Sequence, residues 1–243
     1  MIKAIVTGHS KGLGLGIAGA LLAQGHPVLG LSSSINTTLQ PRFPTLLHQI
    51  AIDLSENSAL EILETSPELQ QFIENATLLL LINNAGRVTP IGPLETQNPH
   101  DVSRSVQLNV GTPLALSALI SQQLKPVQQL RILHVSSGAG RSAYSGWAVY
   151  CATKAALDMH AQAVQQDNLS NVRICSLAPG VIDTGMQAQI RQVDEAHFPN
   201  KQRFIELHEQ GLLTSAEETG ARILGYLLGP KFGEIAVDDL RTY

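Results

Sequence analysis

Short, unbroken apolar runs alternate along the chain with longer stretches of helical spacing, and this alternation limits the possible folds more than any other feature. The runs fall at residues 2–6, 28–31, 48–52, 78–82, 131–135, 172–177 and 234–237. Their lack of polar alternation suits strands covered on both faces. Residues 13–22, 59–73, 102–124, 150–166 and 216–228 carry helical spacing between them. Strand–helix–strand order predicts an α/β fold, a doubly wound parallel sheet of about seven strands with right-handed crossovers and helices on both faces. No linker, low-complexity tract or internal repeat interrupts the pattern, so residues 1–243 are expected to form a single domain. Residues 185–213 read as a partly polar helical insertion expected to cover the substrate. Ligands of such sheets bind outside the carboxyl ends of the strands, where this insertion also falls.

Composition removes several functional classes. The 16 Lys and Arg against 20 Asp and Glu leave a net charge of −4, which argues against a nucleic-acid surface. Cys151 and Cys175 make neither a disulfide framework nor a metal pair, and the eight histidines show no metal-ligand spacing, so no metal is expected. Both cysteines read as small hydrophobes. Residues 78–82 are too few to cross a bilayer, and residues 1–6 end too soon for a signal-peptide core. A cytoplasmic protein with no membrane partner is the expectation, in which the glycosylation-like triplets at Asn36, Asn75 and Asn168 are chance matches.

After the first run comes Thr7-Gly8-His9-Ser10-Lys11-Gly12-Leu13-Gly14, where a helix opens. Glycines there permit a tight turn and the close approach of a pyrophosphate to the backbone, with the positive helix end facing the phosphates. His9 occupies an ordinary variable position of this loop. The spacing Thr-Gly-x-x-x-Gly-x-Gly resembles the short-chain dehydrogenase/reductase family, and further motifs follow in that family's order. These are Asn83-Asn84-Ala85-Gly86 after the fourth run, Asn109 in the next helix, Ser136-Ser137 ending the fifth run, Tyr150-Cys151-Ala152-Thr153-Lys154, and Pro179-Gly180 with Thr184 after the sixth. The resemblance spans nearly the whole chain and implies a Rossmann-type fold.

Tyr150 and Lys154 are four residues apart and share one helix face. A nearby ammonium favours the phenolate and brings a tyrosine pKa toward neutrality. The resemblance implies the remaining roles. Ser137, thirteen residues before Tyr150, matches the hydroxyl that binds the substrate carbonyl, with Ser136 as the alternative if the register slips by one. Asn109 matches the residue that orders a water in the proton relay, or else marks a polar kink in its helix. The implied reaction is hydride transfer from NADPH to a carbonyl carbon while Tyr150 protonates the developing alkoxide, with Ser137 donating to the same oxygen. Lys154 then poises the tyrosine and holds the nicotinamide ribose.

Cofactor preference is read after the second run, where an NAD-selective site places an acidic residue on the ribose 2′-hydroxyl. Here the chain reads Leu29-Gly30-Leu31-Ser32-Ser33-Ser34, without a carboxylate. Lys11 stands where NADP-preferring relatives carry a basic residue, and Ser33 adds a donor, so NADP(H) is expected. Asp53-Leu54 resembles the pair that brackets the adenine, although Asp53 equally suits a helix cap. Gly8, Ser10, Gly12, Leu13 and Gly14 complete the phosphate loop. Asn84, Ala85 and Gly86 should line the cofactor's inner face, and Pro179, Gly180, Val181, Ile182 and Thr184 should meet the carboxamide.

Three stretches narrow the resemblance further, to bacterial benzil reductases and the related sepiapterin reductases: Leu81 to Ile91, Gly146-Trp147 through Lys154 to Met159, and Pro179 to Gln187. The implied substrate is a ketone or an α-dicarbonyl such as benzil, reduced to a hydroxy-ketone. Trp147 either walls an aromatic substrate or belongs to the core, and Met186 is a second wall candidate. Phe198 and Phe204 either close over the pocket or pack the insertion down. The alternatives are a ketoreductase acting on carrier-bound acyl groups and a non-catalytic dinucleotide sensor. A homodimer is expected, because the chain's close lacks the glycine-rich ending of tetrameric relatives.

Overall fold

β1 (Ile2–Thr7) runs through the middle of a seven-stranded sheet, parallel to β2 (Val28–Ser32) on one side and to β4 (Leu78–Asn83) on the other. The computed structural model describes residues 1–243. β3 (Leu47–Ala51) lies beyond β2, while β5 (Gln129–Val135), β6 (Val172–Ala178) and β7 (Val237–Asp239) continue past β4. The order is β3-β2-β1-β4-β5-β6-β7, and every pair is parallel. This is the doubly wound parallel α/β arrangement that the alternation predicts, of the Rossmann type that the resemblance implies.

Successive side chains of a strand point to opposite faces, which sorts the apolar runs into two cores. Ala4 and Val6, Leu80 and Ile82, and Leu133 and Val135 face one way, against Ile17 and Leu21 of α1 (Gly12–Ala23) and Ile223 and Leu227 of α9 (Ala216–Leu228). Ile5, Leu79, Leu81, Leu130 and Ile132 face the other way, against α2 (Ala59–Glu64), α3 (Pro67–Glu74), α5 (Thr112–Gln122) and α6 (Ala148–Gln166). A third, smaller cluster gathers Trp147 and Tyr150 with Phe198 and Phe204. It ties α7 (Gly185–Gln192) and α8 (Lys201–Glu209), which fill the predicted insertion, to the start of α6.

Three predicted elements differ in detail. The segment 59–73 is two helices, because Pro67 disfavours helix at Ser66, whose hydroxyl instead caps α3 by accepting from the Leu69 amide. The segment 102–124 begins earlier, at α4 (Pro99–Val106), where the Asn98 side chain accepts from the His100 amide at 2.9 Å. It is then broken by a π turn, Gln107–Gly111, before α5. The last strand lies at Val237–Asp239 rather than 234–237, since Ile235 turns out to solvent and Ser176 of β6 pairs with Val237. No helix is long and apolar enough to cross a membrane.

The strand order reverses at β1 and β4, whose carboxyl ends therefore open a crevice. The loops after β1, β4, β5 and β6 all emerge at that end of the sheet.

Candidate active site

The glycine loop joins β1 to α1. Gly12 adopts φ +55, a left-handed conformation that favours glycine, and faces Thr184, the N-cap of α7. A Cβ on Gly14 would meet the Gly8 carbonyl oxygen at 2.2 Å, so the turn can close over α1 only with glycine there. Lys11, at the N-cap of α1, makes no side-chain cap hydrogen bond, and the first turn holds no acidic residue. The amide donors of that helix end, with Leu13 buried just inside it, are free for an anion. The cradle therefore fits a dinucleotide pyrophosphate.

Thr7 staples this loop to the one after β4. Its hydroxyl accepts from the amides of Asn84 and Ala85, each at 2.9 Å, and the Asn84 amide group donates back to the Thr7 carbonyl at 2.9 Å. Ser10 and Ser34 hydroxyls meet at 2.9 Å, and Asn36 donates to the Ser10 carbonyl at 2.9 Å. Lys11, Ser33 and Ser34 are all exposed on this rim. Asp53 is exposed; one oxygen caps Ser55, the other lies 3.2 Å from Arg104, and these hydrogen bonds hold its carboxyl below the usual carboxylate range. Leu54 is buried and its carbonyl accepts from Thr112 at 2.7 Å. After β6, Pro179, Gly180 and Val181 are half-buried, and Ile182 bridges in parallel to Thr214.

The third group of expected residues converges above the end of β5. Ser137 caps a short turn, Gly138–Gly140, by accepting from the Ala139 amide at 3.2 Å, and its hydroxyl faces Tyr150 closely enough to favour the phenolate. Ser136 points the other way, and its hydroxyl donates to buried Asp158 at 2.7 Å. Tyr150 is 9% exposed and Lys154 5%. Asn109 sits in the π turn, where its side chain accepts from the Arg87 amide at 2.9 Å, donates to the Arg87 carbonyl at 2.8 Å and reaches Thr153 at 3.2 Å. These bonds lock the backbone just beyond Gly86.

One expectation is corrected by the electrostatics. Tyr150 is not drawn toward neutrality; burial pushes its pKa up to about 12, opposed by the Ser137 hydroxyl. Lys154 lies 5.6 Å from the tyrosine ring centroid and donates to the Val135 carbonyl at 2.7 Å. Burial brings its own pKa down to about 8, so its ammonium is held with less margin than a surface lysine's. Tyr150 is a protonated group at neutral pH, which suits a donor to a carbonyl oxygen.

Trp147 belongs to the third core cluster. It is buried, stacks on Phe198 with centroids 4.6 Å apart, and meets the Tyr150 ring edge-on at 5.3 Å. Phe204 joins it at 5.3 Å, and half-buried Met186 packs against the same cluster.

Two residues that the sequence left without a role belong to this region. His9, read there as an ordinary variable position, is fully buried; its Nε2 lies 2.6 Å from Gln49, and its ring fills the space over Gly30. Asp158 is buried one helical turn beyond Lys154, and a carboxylate four residues from a lysine on the same helix face was the available signal.

Comparison with known proteins agrees with this geometry. Residues 3–195 match the family described as short chain dehydrogenase. A benzil reductase forming (S)-benzoin from Bacillus cereus is 34% identical over 242 residues, covering 95% of this chain and 96% of that protein. Its counterpart from Bacillus subtilis (strain 168) is 35% identical over 229 residues, covering 92% of each. Among solved structures, a short-chain dehydrogenase/reductase from Burkholderia vietnamiensis is 41% identical with a TM-score of 0.73, covering 99% of this chain and 97% of that one.

Proposed function

The chain belongs to the short-chain dehydrogenase/reductase family, and on that premise we propose that it is an NADPH-dependent carbonyl reductase acting on a ketone or α-dicarbonyl such as benzil. Family membership makes it an oxidoreductase of carbonyl and hydroxyl groups that uses a nicotinamide dinucleotide. The observation that carries the narrower reading is the buried, protonated Tyr150 hydroxyl beside the Trp147–Phe198 wall, a donor set in aromatic surroundings.

When bound, the reduced nicotinamide supplies the hydride. Tyr150 delivers a proton to the carbonyl oxygen as negative charge grows there, and Ser137 donates a second hydrogen bond to the same atom. Both donors are fixed before the substrate arrives, Ser137 by its turn and Tyr150 by its ring contacts. Lys154 places a cation behind Tyr150 that favours its transient loss of the proton. Asn109 keeps the Gly86–Arg87 backbone in place under the substrate. Trp147 and Met186 offer apolar surface to an aromatic group, while the buried cluster around Tyr150 keeps water from the transferred proton. Lys11 provides the positive rim for a 2′-phosphate, Ser33 adds an exposed hydroxyl after β2, and no carboxylate follows β2 to oppose them.

The test is NADPH oxidation with benzil and related diketones, comparing the wild type with Tyr150→Phe. We expect turnover in the wild type and a loss of about 10²–10⁴-fold in the variant, with NADPH binding kept. Tight NADPH binding without turnover of any carbonyl would refute the enzymatic reading and leave a dinucleotide sensor.

A further inference from the structure

Asp158 gathers three donors from three parts of the fold. Ser136 at the end of β5 and Ser176 of β6 each donate a hydroxyl to its Oδ1 at 2.7 Å, and Arg141 brings Nε to 3.4 Å from Oδ2. A Cβ on Gly140 would lie 2.9 Å from the same Oδ2 and 3.0 Å from the Lys154 carbonyl carbon, so the 138–140 turn rests directly on this part of α6. Ser136 precedes Ser137, and Arg141 follows the turn that Ser137 caps. One buried carboxylate therefore holds both ends of the segment that presents the Ser137 hydroxyl.

We propose that Asp158 is a positioning residue for the reduction: from beneath the site it anchors residues 136–141 and sets a negative charge one turn from the Lys154 ammonium. The inference rests on the Tyr150–Lys154 reading above. Hydrogen bonding alone does not require a carboxylate here, because buried ion pairs are often replaced by neutral packing without loss of stability. What a neutral group lacks is an influence on Lys154. The titratable groups around the pair are Tyr150 on α6, His134 of β5, Cys175 of β6 and Arg141 of the loop, with Asp238 and Asp239 of β7 beyond Cys175 and Arg141. His134 is neutral, held down to about 3 by burial and by the charges of His160 and Lys154. Burial pushes Cys175 up to about 12, so it too is neutral. Asp158 is the carboxylate whose charge reaches Lys154, and it opposes the burial that pulls Lys154 down.

Asp158→Asn removes the charge and keeps an acceptor for both serines. Lys154 is titrated directly by carbon NMR of isotope-labelled lysine side chains in the cofactor-free protein, and kcat for benzil reduction is measured against pH. Both the Lys154 midpoint and the alkaline limb of kcat should move down by about one pH unit. An even loss of kcat at every pH with an unchanged Lys154 titration would show a merely structural role and overturn the proposal, as would a variant identical to wild type. If the wild type reduces no carbonyl, the functional reading fails, and the lysine titration still decides the role of Asp158. Should Asp158→Asn not fold, Ser136→Ala combined with Ser176→Ala keeps the charge and loosens the anchor. That pair should lower kcat about tenfold without moving the limb, and an unchanged kcat would overturn the anchoring.

Discussion

Replacing Lys154 with Met should stabilise the protein at neutral pH while removing turnover. The side chain is 5% exposed and burial brings its pKa from 10.5 to about 8. The unfolded chain thus keeps this proton up to about pH 10.5, whereas the folded protein releases it near 8. Between those values the unfolded state binds more protons, so wild-type stability rises with pH across that window. Below it, the fold carries the whole cost of a buried ammonium, roughly 3 kcal/mol at about 1.4 kcal/mol per pH unit. Met has similar length and no charge, and removes that cost. It also strips the Val135 carbonyl of the 2.7 Å hydrogen bond from Nζ, a loss of about 1–2 kcal/mol. The net gain at pH 7 is about 1–2 kcal/mol, and in a chain of this size about 2–4 °C in Tm for each kcal/mol. Urea unfolding read by the fluorescence of Trp147, the one tryptophan, measures it at pH 7 and again near pH 10. The advantage of the variant should shrink toward the higher pH as the wild type gains. A Lys154→Met protein less stable than wild type at pH 7, or a gap that does not change with pH, would refute the argument that burial of the ammonium is a strain on the fold.

Two further substitutions probe the cofactor loop. Gly14→Ala sets a methyl 2.2 Å from the Gly8 carbonyl oxygen, so the loop must shift; differential scanning calorimetry should show a loss of about 1–3 kcal/mol, and isothermal titration should show NADPH affinity down at least tenfold. Lys11→Gln should weaken NADPH about tenfold and leave NADH within about twofold, with the NADPH penalty shrinking as salt is raised; an equal effect on both cofactors would contradict a 2′-phosphate role for Lys11.

The parts of this fold written in local residue order were legible in the sequence. Residues 78–82 read as a fully covered strand because five consecutive aliphatic side chains serve two cores, and the Thr7–Gly14 turn announced itself by its glycines. The breaks were harder to see. Ser66-Pro67 divides one apparent helix because of what proline does to its predecessor, yet the apolar period on either side looks continuous. β7 is three residues long at the sheet edge, and its register depends on pairing with Ser176 rather than on its own pattern. The electrostatics of the site were the least legible. Spacing placed Tyr150 and Lys154 on one face, but burial depends on Trp147, Phe198 and Phe204, two of which lie some fifty residues downstream. Likewise, His9 found its place only because Gln49 and Gly30 come from other strands.

The π turn between α4 and α5 amounts to one surplus residue spliced into a helix, marked by the Thr112 amide reaching back to the Gln107 carbonyl. One residue is about 100° of helical rotation, so the two flanking helices are out of phase by roughly that angle. Deleting a single residue there would yield a longer and more regular helix, and the local backbone would gain from it. The same deletion would swing Asn109 away from Arg87 and Thr153, and carry Asp101, 3.1 Å from Arg87, off its partner. Chain length here therefore matters alongside the identity of Asn109. An insertion or deletion there would displace Asn109 from these partners even where every side chain is left intact.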